Sequence, residues 1–215
     1  MGRHLYSGLA FLFLVGGIVA QDEDEKLTSG VAVGKLLPGA FDCLVINGKN
    51  KGRQHCLVCE NALNPVVMVF AREPAEGKEG PLDALMAKLD DAVARHQDVS
   101  LGGFVIVLSP DARSSATNES EEDAAKLVEE ARARDELVKR LSTRAEKLKN
   151  VIIGCYPPEG PKGYNLSPKA EITVLVYERH KVLANFAFSA GQMTDADLER
   201  IIAAMDKVAK SSEGK

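Results

Sequence analysis

The alternation of apolar and polar positions along the chain predicts an α/β protein. An unbroken apolar run at 66–71 follows Pro65 and is rich in β-branched residues, a pattern typical of a strand buried on both faces. After Pro81 the apolar residues recur at the spacing of one helical face, on Leu82, Leu85, Met86, Leu89 and Val93. A buried strand followed by an amphipathic helix indicates the start of a βαβ unit.

The rest of the chain continues this pattern. Further strands are predicted at 41–46, 104–108, 151–155, 172–177 and 182–188. The last two are close enough in sequence to form a hairpin. Ser120 and Asp123 have the spacing of a capping box and predict a long helix that ends near Lys149, while Thr194 predicts the cap of the final helix. The predicted fold class is α/β, with a mixed central sheet and helices on both faces.

Length and composition fit one folded domain. The chain has 215 residues, and 45% of them are hydrophobic, which suits one domain with a sizeable core. We assign this domain to 41–210. Residues 21–40 start with an acidic run and are expected to be a mobile segment. Residues 211–215 are assigned to a short tail.

Residues 1–20 have the pattern of a secretory signal peptide. Arg3 and His4 precede an apolar stretch that runs from Leu9 to Val19, and Ala20 stands before the acidic run. The apolar stretch is about a dozen residues long, whereas a membrane span needs roughly twenty. We therefore expect cleavage after Ala20, export to a periplasmic or extracellular space, and no stable membrane span afterwards. A retained N-terminal anchor is the alternative.

Charge and motif content argue against several classes of function. The chain carries 27 basic and 31 acidic side chains, a net charge of −4. Removing Arg3 with the signal leaves 26 against 31, or −5, which disfavours a nucleic-acid partner. The sequence has no glycine-rich phosphate-binding motif, and its histidines indicate no Ser-His-Asp or Cys-His set. No cofactor is expected.

The order of elements resembles the thioredoxin-like superfamily over roughly 41–210. The resemblance lies in the strand at 65–71, the strands at 103–108 and 172–177, the last helix after Gly191, and a Cys-x-x-Cys pair, Cys56 and Cys59. It implies a mixed sheet with helices on both faces. For redox-active members of the superfamily, it also implies thiol–disulfide exchange with the thiols or disulfides of protein partners.

This chain departs from the superfamily pattern at the usual redox site. In redox-active members the Cys-x-x-Cys follows the central strand, but residues 72–77 contain no cysteine and the pair here precedes the strand. The proline that precedes a Thr and the third core strand is replaced by Ile172. The superfamily's usual site lies at the carboxyl end of the parallel strands, and the polar residues predicted there are Arg72, Glu73, Glu171 and Thr173. They are either binding candidates or charges that solvate the strand ends.

The four cysteines of an exported chain can form disulfides in three pairings. We predict that Cys56 pairs with Cys59, because two intervening residues allow closure in a turn. Cys43 and Cys155 lie in apolar strands, where a thiol is usually a small buried hydrophobe, although a long-range disulfide between them is an alternative.

Three roles remain open for the Cys56/Cys59 pair: a structural disulfide, thiol–disulfide exchange, or metal binding with His55 and Cys43. No second clear pair of zinc ligands is present, so no metal is assigned. No helix is expected to begin at Cys56. Nearby positive charge on Lys51, Arg53 and His55 instead favours the thiolate and makes Cys56 the expected attacking sulfur.

The sequence thus predicts an exported thioredoxin-like protein with Cys56 and Cys59 as candidate redox residues. Binding candidates are Arg72, Glu73 and Thr173. The alternative is a non-catalytic binding or scaffold module in which the disulfide is structural.

Overall fold

The computed structural model describes residues 27–73, 80–113 and 124–212. Three sequence-based expectations therefore lie outside the described residues. These are the signal peptide at 1–20, the acidic run at its boundary, and the capping box of Ser120 and Asp123. Most of the segment that follows the central strand, 74–79, is outside them as well.

The described residues form seven strands and four α-helices. The strands are β1 (Cys43–Val45), β2 (Gln54–His55), β3 (Val66–Arg72), β4 (Gly102–Leu108), β5 (Ile152–Tyr156), β6 (Ile172–Glu178) and β7 (Lys181–Phe188). The helices are α1 (Leu57–Glu60), α2 (Pro81–Arg95), α3 (Ala124–Ala145) and α4 (Asp195–Ser212). None of these helices is long and apolar enough to cross a membrane.

All seven strands belong to one mixed sheet, in the order β2-β1-β5-β4-β3-β6-β7. β3, β4 and β5 run parallel, and β6 is antiparallel to β3. The predicted hairpin at the end of the chain is confirmed as β6 and β7. β1, the strand predicted at 41–46, lies between β5 and the two-residue edge strand β2.

The sheet separates two hydrophobic cores, and β3 contributes to both. Val67 and Val69 point into the first core, while Met68 and Phe70 point into the second. Every residue of β3 except Arg72 is buried. The prediction of a central strand covered on both faces is confirmed, because alternate side chains of a strand point to opposite faces.

The predicted α/β fold is confirmed, with helices unequally divided between the faces. Helices α2, α3 and α4 pack in the first core, whereas the short α1 covers part of the second. The connections β3-α2-β4 and β4-α3-β5 step across the sheet in the same direction. Because such crossovers are right-handed, their two helices must lie on the same face.

Residues 27–40, the described part of the segment assigned to 21–40, contact the sheet. The Ser29 hydroxyl bonds the Thr173 hydroxyl at 2.7 Å, and Val31 is buried in the second core. The Val182 N–H donates to the carbonyl of Lys35, and Leu36 forms an isolated bridge to Lys181. The edge strand β7 has backbone N–H and C=O groups without a neighbouring strand, and residues 34–36 provide hydrogen-bond partners for some of them.

Candidate functional site

Cys56 and Cys59 form a disulfide, with their Cα atoms 5.2 Å apart. The predicted pairing is confirmed. The four-residue helix α1 carries the pair, and Cys56 is its N-cap with extended backbone angles. The N–H of Cys59 donates a hydrogen bond to the Cys56 Sγ atom at 3.0 Å.

The expectation that no helix begins at Cys56 is therefore wrong. A helix this short has little stability of its own, and tertiary contacts must hold it. Leu57 and Val58 make these contacts: both side chains pack in the second core, with exposed fractions of 3% and 4%. Two adjacent apolar residues do not show helical periodicity, so the sequence pattern gave no sign of this turn.

The two sulfur-bearing residues differ in exposure. Cys59 is exposed, whereas Cys56 is half-buried and packs against the second core. Because Leu57 and Val58 face inward, the disulfide lies at the protein surface with Cys59 on the solvent side.

Polar side chains around Glu60 fix the position of α1. The Glu60 carboxylate contacts the Lys49 ammonium at 2.8 Å, the His55 Nε2 atom at 2.6 Å and the Asn50 amide at 3.0 Å. Partial burial acts to raise the pKa of Glu60, but hydrogen bonds from Lys49 and His55 outweigh it, and the pKa lies below its ordinary value. Glu60 thus joins the loop after β1, strand β2 and helix α1.

Some of the basic side chains near the disulfide are bonded to Glu60, and others form no ion pair among the described residues. Lys49 and His55 are engaged by Glu60, as just described. Lys51 and Arg53 are exposed and form no ion pair within the described part of the chain. Two cationic side chains of the loop before β2 therefore remain free to act on an approaching anion.

The remaining cysteines are buried free thiols. Cys43 points into the second core and Cys155 into the first, so the sheet lies between their side chains and the alternative of a Cys43–Cys155 disulfide is wrong. Burial raises the pKa of Cys43 to about 12 and that of Cys155 to about 11. Among the described residues, no group of three or more His, Cys, Asp or Glu side chains is placed to hold a metal ion.

At the carboxyl end of β3, Arg72 donates hydrogen bonds to backbone carbonyls. Its guanidinium donates to the carbonyl oxygens of Pro158, Ser167 at 3.2 Å and Ala170 at 3.4 Å. These carbonyls belong to the long connection between β5 and β6. Arg72 therefore fixes this connection against the end of the central strand.

Glu73 is held by two further side chains. Its carboxylate accepts a hydrogen bond from the Ser109 hydroxyl at 2.6 Å and two from the Arg140 guanidinium at 2.6 and 3.0 Å. Arg140 also contacts Asp111 at 3.3 Å. The hydrogen bond to Glu73 raises the pKa of Arg140 above its ordinary value. This network links the end of β3, the segment after β4 and helix α3.

The two other candidates at this end of the sheet are also bonded within the protein. Thr173 is 2% exposed and bonds the Ser29 hydroxyl. Glu171 accepts a hydrogen bond from the Gly191 N–H at 3.0 Å. The structure thus places Arg72, Glu73 and Thr173 apart from Cys56 and Cys59. Asn61, the residue after α1, has its side chain beside Gly102 at the amino end of β4, whereas Arg72 lies at the carboxyl end of β3.

No protein-family model matches this chain, and no curated protein matches it either. Solved structures do. A candidate protein disulfide isomerase from Bacteroides thetaiotaomicron is 13% identical, with a TM-score of 0.51 over 87% of this chain and 98% of that one. A conserved uncharacterised protein from Geobacillus kaustophilus is 13% identical, with a TM-score of 0.53 over 84% and 83%. A hypothetical protein from Sinorhizobium meliloti has the same identity and TM-score over 86% and 89%.

The chain has a thioredoxin-like fold, and the resemblance seen in the sequence is confirmed at the level of fold. Its Cys-x-x-Cys disulfide precedes the central strand on a helical turn of its own.

Proposed function

We propose that this protein is an exported thiol–disulfide exchange protein that acts on the thiols or disulfides of protein partners through Cys56 and Cys59. The observation that carries the proposal is a Cys-x-x-Cys disulfide at the surface, with Cys59 exposed to solvent. Exchange requires a thiolate to reach one sulfur of the disulfide, and the exposure of Cys59 allows this.

The small ring supports a role other than stabilisation. The disulfide closes a ring of four residues, for which the chain-entropy estimate is about 2 kcal/mol. Burial of Leu57 and Val58 and the contacts of Glu60 with Lys49 and His55 already hold α1 in place. Breaking the bond therefore leaves the turn anchored, as a reversible redox centre requires.

The fold adds support for the reaction class. One solved structure with this fold is described as a candidate protein disulfide isomerase. The signal-like segment at 1–20 supports export into an oxidising space, where such exchange operates. Lys51 and Arg53 favour the thiolate form of a sulfur that comes near them.

A redox titration with thiol counting tests the proposal. The native protein is expected to show no accessible thiol before reduction, because Cys43 and Cys155 are buried, and two after mild reduction. In glutathione buffers the pair should be reduced at a potential above about −270 mV, the value of thioredoxin. A variant with Cys43→Ser should titrate in the same way.

The opposite result assigns a different function. A disulfide with a potential below about −300 mV, resistant to the glutathione pool, is structural. The protein would then be a non-catalytic binding or scaffold module, the second hypothesis from the sequence. The absence of any accessible thiol in the native protein after mild reduction gives the same answer, because it would mean that the Cys56–Cys59 disulfide has not been reduced.

A further inference from the structure

We propose that an incoming thiolate attacks the disulfide at the Sγ atom of Cys59 and that Cys56 is the sulfur released. This inference rests on the proposed function and assigns the order in which its two sulfurs act. Sequence position favours Cys56 as the attacking sulfur, because it is nearer to the basic residues of the preceding loop. The surroundings of the two sulfurs instead favour Cys59 as the sulfur that bonds to the partner.

Exposure is the first difference between the two cysteine residues. Cys59 is exposed, and Cys56 is half-buried against the second core. The inward-facing Leu57, with an exposed fraction of 3%, fixes which side of the turn faces solvent. The rate of exchange depends on which sulfur a thiolate can reach, so a protein partner meets Cys59 first.

Hydrogen bonding is the second difference. The backbone N–H of Cys59 donates to the Cys56 Sγ atom at 3.0 Å, and within the described residues the Cys59 Sγ atom has no such donor. A backbone donor stays in place when a partner is attached to the Cys59 side chain. It stabilises negative charge that develops on Cys56, and a stabilised thiolate leaves faster.

The reaction is balanced with a dithiol partner. In the first step the partner's thiolate forms a bond to Cys59 Sγ, the Cys56–Cys59 bond breaks, and Cys56 leaves with the electron pair. In the second step a second thiolate of the partner attacks the partner's sulfur in this mixed disulfide, and Cys59 leaves as a thiolate. The partner's dithiol is oxidised to a disulfide by two electrons, and the Cys56/Cys59 pair gains these electrons and two protons.

Trapping the first intermediate on the unmodified oxidised protein tests the order. The protein is mixed briefly with a monothiol, acid-quenched, and alkylated with iodoacetamide. Trypsin releases Cys56 and Cys59 in one peptide, 54–72, and fragment spectra locate the adduct. Glutathione and neutral 2-mercaptoethanol are used in parallel, so that any steering by Lys51 and Arg53 is separated from access.

We expect both thiols to give an adduct on Cys59, with carbamidomethyl on Cys56, in at least tenfold excess over the reverse pattern at the earliest times. An adduct on Cys56, or equal amounts on both cysteines, overturns this inference and leaves the proposed function standing. If neither monothiol forms an adduct on the native protein, the disulfide is inert and both proposals fail.

Discussion

Glu73 illustrates, at the scale of single residues, how the carboxyl end of the central strand is closed by internal bonds. Its carboxylate accepts hydrogen bonds from Ser109, which is fully buried, and from Arg140. A hydrogen bond to a charged group contributes about 1.5–3 kcal/mol, so a ligand that took Glu73 from these partners would have to replace that energy. The geometry favours a structural role for this residue.

Replacing Glu73 with Gln is expected to lower the free energy of unfolding by about 1–2 kcal/mol, because the charge that pairs with Arg140 is lost. The rate of thiol exchange at Cys56–Cys59 should be unchanged, since Glu73 and the disulfide lie at different ends of the parallel strands. Urea unfolding and the rate of reduction by glutathione measure the two effects.

Glu136→Gln is the matched control for this variant. Glu136 is also near Arg140 in sequence, but its side chain is 64% exposed and its ion pair with Lys139 is 3.9 Å long. Its replacement should change the free energy of unfolding by less than about 0.5 kcal/mol. A loss of exchange in Glu73→Gln with stability intact would show that Glu73 takes part in function.

Helix α1 shows, at the scale of elements, how tertiary contacts form a structure that its own sequence cannot. Four residues are far fewer than the roughly twelve that an isolated helix needs. Burial of Leu57 and Val58 contributes about 1.5–3 kcal/mol each, and the bonds of Glu60 add a smaller amount. The exposed position of Cys59 is a consequence of these contacts.

The pH dependence of the free energy of unfolding tests whether the Glu60 carboxylate stabilises the position of α1. Its pKa is lower in the folded protein than in the unfolded chain, where it is about 4.3. The stabilisation is therefore fully present above this value and is lost as the pH falls through the lower, folded pKa. We expect Glu60→Gln to be less stable than the parent by up to about 1 kcal/mol at pH 6, and the difference to shrink at pH 3.

Urea unfolding of both proteins at the two pH values gives this difference. Glu129→Gln is the matched control, because Glu129 is exposed on α3 and forms no ion pair within the described residues. A stability difference between Glu60→Gln and the parent that stays constant from pH 6 to pH 3 would contradict the assigned role of the Glu60 carboxylate.

Predicted cleavage of residues 1–20 changes both the N-terminus and the net charge of the whole molecule. The predicted cleavage point after Ala20 lies outside the described residues, the first of which is residue 27. We expect the mature protein to begin at Gln21 and to carry a net charge of −5. Mass spectrometry of the secreted form measures its N-terminus, and an intact Met1 in the membrane fraction would favour a retained anchor instead.

Those features that depend on neighbouring residues could be predicted from the sequence. The buried strand β3, the helix after Pro81 and the cap at Thr194 each have a local pattern, and the structure confirms them. The Cys56–Cys59 pairing is local too, because only two residues separate the cysteines. Local spacing determines which backbone conformations bury apolar side chains, and this information is present in any short stretch of the chain.

The tertiary structure decided what depends on residues distant in sequence. Ser29 meets Thr173 across 144 positions, Glu73 meets Arg140 across 67, and Arg72 meets the carbonyls of the β5–β6 connection. No local pattern predicts such partners, because they are set by strand order and crossover handedness. The exposure of Cys59 is of the same kind, since the second core that buries Leu57 and Val58 is assembled from strands and loops throughout the chain.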